Sequence, residues 1–120
     1  IKRANRWRKM TGGGMRQAGI LAAAGLYALQ NNVARLQEDH DNAAWMAEQL
    51  RAVGADVMRH DTNMLFVRVG EEQARALGEF MQARGVLINA SPVVRLVMPL
   101  DVNRQQLTEV VGHWQAFLQR

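Results

Sequence analysis

The 120-residue chain contains no cysteine, which excludes a disulfide framework and any zinc site built on thiolates and fits a reducing compartment. It also lacks a long apolar run. The longest, Gly19 to Leu29, is about half of the roughly twenty residues that span a bilayer, and no secretory signal precedes it. A soluble cytoplasmic protein without a membrane partner is the expectation. Acid is missing from the first sixteen residues, where Lys2, Arg3, Arg6, Arg8, Lys9 and Arg16 stand; the remainder carries −2 against an overall charge of +4. A basic segment joined to a mildly acidic body calls for a negatively charged partner: nucleic acid, anionic lipid or a bound phosphate.

What is present is an ordinary globular composition, 48% hydrophobic and 22% charged. A chain of this length buries roughly two thirds of its unfolded surface, enough for one core. It begins at Ile1, inside a basic helical pattern and without an initiator Met, and is read as a piece of something longer.

Apolar residues at Ile1, Ala4, Trp7 and Met10 predict a short helix that ends at Thr11, before Gly12, Gly13 and Gly14. Arg16 to Gln30, rich in Ala, Gly and Leu on all sides, predicts a helix buried all round. A third helix follows from Val33, Leu36, His40, Ala43, Ala47 and Leu50, capped by Gly54. Ala55 to His60 and Met64 to Val69 read as a hairpin, and Glu71 to Arg84 as a helix closed by Gly85. Val86 to Asn89 and Val93 to Met98 read as strands about Ser91 and Pro92, with Asp101 capping a last helix. The fold class expected is α+β: N-terminal helices, then a small antiparallel sheet packed with helices on one face. The boundary is placed near Gly54, giving a helical segment over 1–53 and a small α+β domain over 54–120.

Three consecutive glycines leave backbone amides bare, a helix is expected to start directly after them, and Lys9 and Arg16 flank the loop. That is what a phosphate site needs, although neither a Walker loop nor a Rossmann fingerprint is present. A flexible hinge between helices is the alternative. Arg95, within Val93-Val94-Arg95-Leu96-Val97, shares a strand face with Val93 and Val97. It lies either on the exposed face of an edge strand or in a cleft, where a carboxylate held bidentately is its natural ligand. His40, His60 and His113 fall on different elements with no metal-ligating spacing, and Glu38, Asp39 and Asp41 read as a solvated helix face. No metal site is expected.

The stretches Arg6 to Gln17, Leu36 to His40, Thr62-Asn63-Met64, and Ala90-Ser91-Pro92 with Arg95-Leu96-Val97 carry a resemblance that runs along the whole chain. The sequence resembles the low-specificity L-threonine aldolases, pyridoxal-phosphate enzymes of the aspartate aminotransferase fold (fold type I). The resemblance implies the C-terminal part of such an enzyme, working with its N-terminal part in a homo-oligomer, a dimer of dimers. It implies that Lys9 and Arg16, around Gly12, Gly13 and Gly14, reach the cofactor phosphate from the neighbouring subunit. Arg95 would bind the α-carboxylate of a β-hydroxy amino-acid substrate. The only lysines, Lys2 and Lys9, are outside the family's Ser-Lys-Gly setting, so no catalytic residue is assigned here and the chain alone is expected to be inactive. Met98-Pro99 departs from the Thr-His common in the family, which bears on a turn and leaves Arg95 untouched. The rival reading is a nucleic-acid or anionic-surface module that uses Trp7 between Arg6 and Arg8. It leaves the glycine triplet and Arg95 unexplained, so no nucleic-acid partner is expected.

Overall fold

The computed structural model describes all 120 residues, which divide into two compact units, Ile1–Arg35 and Leu36–Arg120. The division falls ahead of the third helix rather than near Gly54. Ala43, Met46, Ala47 and Leu50 of that helix are each fully buried, so it belongs to the same core as the strands that follow.

The first unit holds α1 (Lys2–Met10) and α2 (Gly19–Asn31). Thr11 caps α1 as its sequence suggests, with its amide and hydroxyl both donating to the Trp7 carbonyl at 3.0 Å. The first unit by itself does not provide the burial all round that is expected of α2. Ile20, Leu21, Leu26, Tyr27 and Leu29 are all between 55 and 83% exposed. Enclosing a helix that is apolar on every side takes neighbours on all its faces, and the unit contains only one other helix. Residues 1–35 contain seven basic side chains and no acid.

The second unit runs α3 (Leu36–Ala52), β1 (Asp56–Asp61), β2 (Met64–Arg68), α4 (Glu71–Gln82), β3 (Val93–Val97) and α5 (Arg104–Leu118). Gly54 and Gly85 end α3 and α4 at φ of +90° and +76°, as the sequence suggests. The three strands form an antiparallel sheet in the order β1-β2-β3, confirming the α+β class. The expected strand over Val86–Asn89 is absent. That segment makes no ladder, and the Val86 amide turns back to the Met81 carbonyl at 3.0 Å, which closes α4 instead of opening a strand.

Alternation along the strands sends Val57, Leu65, Val67 and Val94 inward, against α3, Leu77 and Met81 of α4, and Leu107 and Trp114 of α5. Burying each such aliphatic side chain contributes about 1.5–3 kcal/mol, and the surface ion pair Arg68–Asp56, with both side chains more than half exposed, about 0–1 kcal/mol. The core therefore holds the sheet to its helices. The cap of α5 is Asn103, two residues beyond the expected Asp101. Its side chain accepts the Gln106 amide at 3.0 Å while the Gln106 side chain accepts the Asn103 amide at 2.9 Å. This reciprocal box satisfies two of the helix's unpaired donors, which Asp101, still in the preceding turn, cannot reach. No helix is long and apolar enough to cross a membrane.

Candidate functional site

The glycine loop folds back on the end of α1. The Gly12 amide donates to the Lys9 carbonyl at 3.3 Å, Gly13 to Arg8 at 2.7 Å and Gly14 to Gly12 at 2.8 Å. All three amides are committed to the chain's own carbonyls, so the bare-amide cradle expected from sequence is not formed. Nor does a helix follow directly: Met15, Arg16, Gln17 and Ala18 intervene before α2 begins at Gly19. The glycines serve geometry. Gly12 takes a φ of +90°, and a β-carbon on Gly13 would sit 2.5 Å from Arg8 Cγ and 2.8 Å from Arg8 O.

The tight turn brings Lys9 over the loop, with its Nζ 3.2 Å from where a Gly14 β-carbon would be. Lys9 and Arg16 are exposed, and their unit offers no carboxylate to neutralise either. Two uncompensated cations beside a loop without side chains fit a phosphate group through charge, with the backbone as scaffold rather than donor.

Arg95 sits in the middle of β3, an edge strand, opposite Phe66 of β2. Val94 points into the core and is fully buried, so Arg95 takes the other face with Val93 and Val97, which are about 40% exposed. On that face Phe66 also carries the Arg59 guanidinium, 4.6 Å from its ring centroid. Arg95 further lines a recess of about 220 Å³ with Leu87, Asn89, Leu96 and Val97, and it is the only charged residue there. The two readings left open by the sequence are therefore compatible: an exposed strand face with a recess at its edge. A lone guanidinium against apolar walls favours a small carboxylate. The strand's entry is fixed by Ser91, whose hydroxyl donates to the Val93 carbonyl at 2.6 Å, and by Pro92, whose carbonyl accepts the Val69 and Gly70 amides at 2.9 and 3.2 Å.

The sequence model of the family described as beta-eliminating lyase matches residues 1–72, more than half of the chain. The chain belongs to the beta-eliminating lyase family. It is 82% identical over all 120 residues to the low specificity L-threonine aldolase of Escherichia coli strain K12, of whose length it spans 36%. A high-resolution structure of SPT with PLP superposes at a TM-score of 0.60, with 20% identity over 72% of this chain and 25% of that one. A transaminase with L-ala superposes at 0.62, with 18% identity over 82% of this chain and 26% of that one. At such identities the two structures establish the shared fold.

Within this beta-eliminating lyase chain the glycine loop with Lys9 and Arg16 belongs to the first unit and Arg95 to the second. His40 and His113 are half-buried on α3 and α5, His60 is exposed on β1, and no cluster of ligating side chains exists. Of the acids read as a solvated helix face, Glu38 and Asp41 are exposed but Asp39 is 5% exposed, because α3 turns it inward with Asn42. Arg75 hydrogen-bonds Glu79 at 2.8 Å, and that carboxylate raises the guanidinium pKa above its ordinary value. The group is charged at any accessible pH and plays no acid–base part. Reading the sequence missed Phe66 and Arg59 as neighbours of Arg95, since only strand register reveals a cross-strand pair.

Proposed function

We propose that the chain acts as part of a longer pyridoxal-phosphate-dependent lyase that cleaves β-hydroxy amino acids, L-threonine or L-allo-threonine, to glycine and acetaldehyde. The observation that carries this reading is the 82% identity, without interruption in coverage, to a low specificity L-threonine aldolase. Lys9 and Arg16 hold the cofactor phosphate, with Gly12, Gly13 and Gly14 shaping the turn that presents Lys9. They reach it from a neighbouring subunit in a homotetramer of cytoplasmic enzymes of glycine metabolism. When bound, the cofactor supplies the electron sink that Cα–Cβ cleavage requires.

The chain's own residues bind and orient. Arg95 grips the substrate carboxylate, which leaves the Cα–Cβ bond free to be set against the plane of the cofactor, and a fixed angle there is worth far more than affinity. Lys9 and Arg16 hold the phosphate so that this angle does not drift. The covalent anchor lies elsewhere, because neither Lys2 nor Lys9 stands in a Ser-Lys-Gly sequence. Incubating L-threonine with the full-length enzyme and with the 120-residue chain tests the reading. The full-length enzyme releases acetaldehyde and glycine in equal amounts and the chain alone releases neither; turnover by the chain alone would overturn it.

A further inference from the structure

The tip of the β1–β2 hairpin is built under strain. Thr62 is β-branched, yet holds a φ of +51°, a region that such side chains rarely enter. Its hydroxyl donates to the Asp61 carbonyl at 2.7 Å, which secures the turn. The consequence falls on the next residue. Asn63 accepts the Met98 amide on its backbone carbonyl at 2.8 Å, and its Nδ2 donates to the Met98 carbonyl at 3.4 Å. Both polar groups of Met98 are thus held by one residue 35 positions away, and the Met98 side chain is 3% exposed within the core.

Met98 follows the last residue of β3, the strand that carries Arg95. As an edge strand, β3 is laddered on one side alone, to β2. Its inner face carries Val94 and Leu96, and its outer face Val93, Arg95 and Val97. Burial of Val94 and Met98 sets which face is inward, and a slip by one residue would send Arg95 into the core and Val94 out. Pro92 pins the strand's start, and Asn63 holds its end just past the Met64–Val97 pair.

The geometry points to Asn63 as a positioning residue for carboxylate recognition, held in place by the strained Thr62 and acting through the register of β3 on Arg95. This rests on the proposed role of Arg95 in binding the substrate carboxylate.

The test uses the full-length enzyme with bound cofactor and the variants Asn63→Ala, Asn63→Asp and Arg95→Ala, singly and with Asn63→Ala combined with Arg95→Ala. Both Asn63 variants keep the backbone bond to the Met98 amide and lose the side-chain donor to the Met98 carbonyl, and both raise KM for threonine about five- to ten-fold, while kcat and cofactor affinity stay within about two-fold. In the Arg95→Ala background Asn63→Ala adds no further rise, because the two act on one interaction. A general loss of folding quality would not produce that non-additivity. An unchanged KM in the Asn63 variants, with Arg95→Ala strongly impaired, overturns the positioning role and leaves the reading of Arg95 intact. An unchanged KM in Arg95→Ala removes the foundation of both. If Asn63→Ala does not fold, Asn63→Gln, which keeps the amide on a longer arm, decides by the same KM-against-kcat split.

Discussion

Arg95 and Phe66 face each other across the β2–β3 ladder, on the side of the sheet turned away from its helices. Phe66 is half-buried because Arg59 covers its ring from β1, so the floor beside Arg95 is an aromatic plane already stacked on one cation. A second guanidinium near that ring discourages Arg95 from folding down onto the sheet and keeps it available for an anion.

With Arg95 as the proposed carboxylate ligand, removing its guanidinium is expected to act on the substrate rather than on the cofactor. Charge-assisted hydrogen bonds are worth about 1.5–3 kcal/mol, so Arg95→Ala in the full-length enzyme raises KM for threonine about ten- to hundred-fold. Steady-state kinetics with a cofactor titration checks this. Arg95→Lys recovers little, since an ammonium cannot grip a carboxylate in two places.

The phosphate side answers differently. Arg16→Ala and Lys9→Ala each weaken cofactor retention by about ten-fold, and KM at saturating cofactor changes little. Gly13→Ala does the same without altering any charge, because its β-carbon collides with Arg8 and opens the turn that presents Lys9. Cofactor absorbance after dialysis reads all three. Equal loss of cofactor in the Arg95 and Arg16 variants would contradict the division of roles.

Charge without acid over residues 1–35 leaves the polyanion reading open to a direct trial. Titrating the full-length enzyme with duplex DNA at 50 and 200 mM salt is expected to give no saturable complex. Tight binding that collapses with salt would favour the nucleic-acid module instead.

The cap of α5 separates two residues that sequence reasoning would confuse. Asn103→Ala lowers stability by about 1 kcal/mol, whereas Asp101→Ala changes it by less than about 0.5 kcal/mol. Thermal unfolding of the full-length enzyme measures both.

Close packing of α4 against the entry to β3 makes a further prediction. A β-carbon on Gly78 would lie 2.6 Å from Ala90 Cβ, so Gly78→Ala costs about 1–3 kcal/mol. Adding Ala90→Gly restores part of the loss. Full additivity of the two changes would show that the contact is not responsible.

Periodicity in the sequence determined most of the elements: α1, α3, α4 and α5, the hairpin, and the strand around Arg95 all follow from spacings of three to four or of two. It also determined where the excess of positive charge lies and which residues carry the family likeness. It did not decide the burial of α2, the Val86–Asn89 segment or the glycine amides. In those stretches apolar or side-chain-free residues fit several conformations equally well, and the hydrogen bonds that choose among them are made locally in space.

Only the tertiary structure decided which way Arg95 faces. Val93-Val94-Arg95-Leu96-Val97 is apolar on both faces of the arginine, so alternation gives two faces without saying which is core. Pairing with β2 makes that choice by burying Val94, and the same pairing sets Phe66 beside Arg95 and Asn63 beside Met98. Register is a relation between segments some thirty residues apart, and no local pattern in either one contains it.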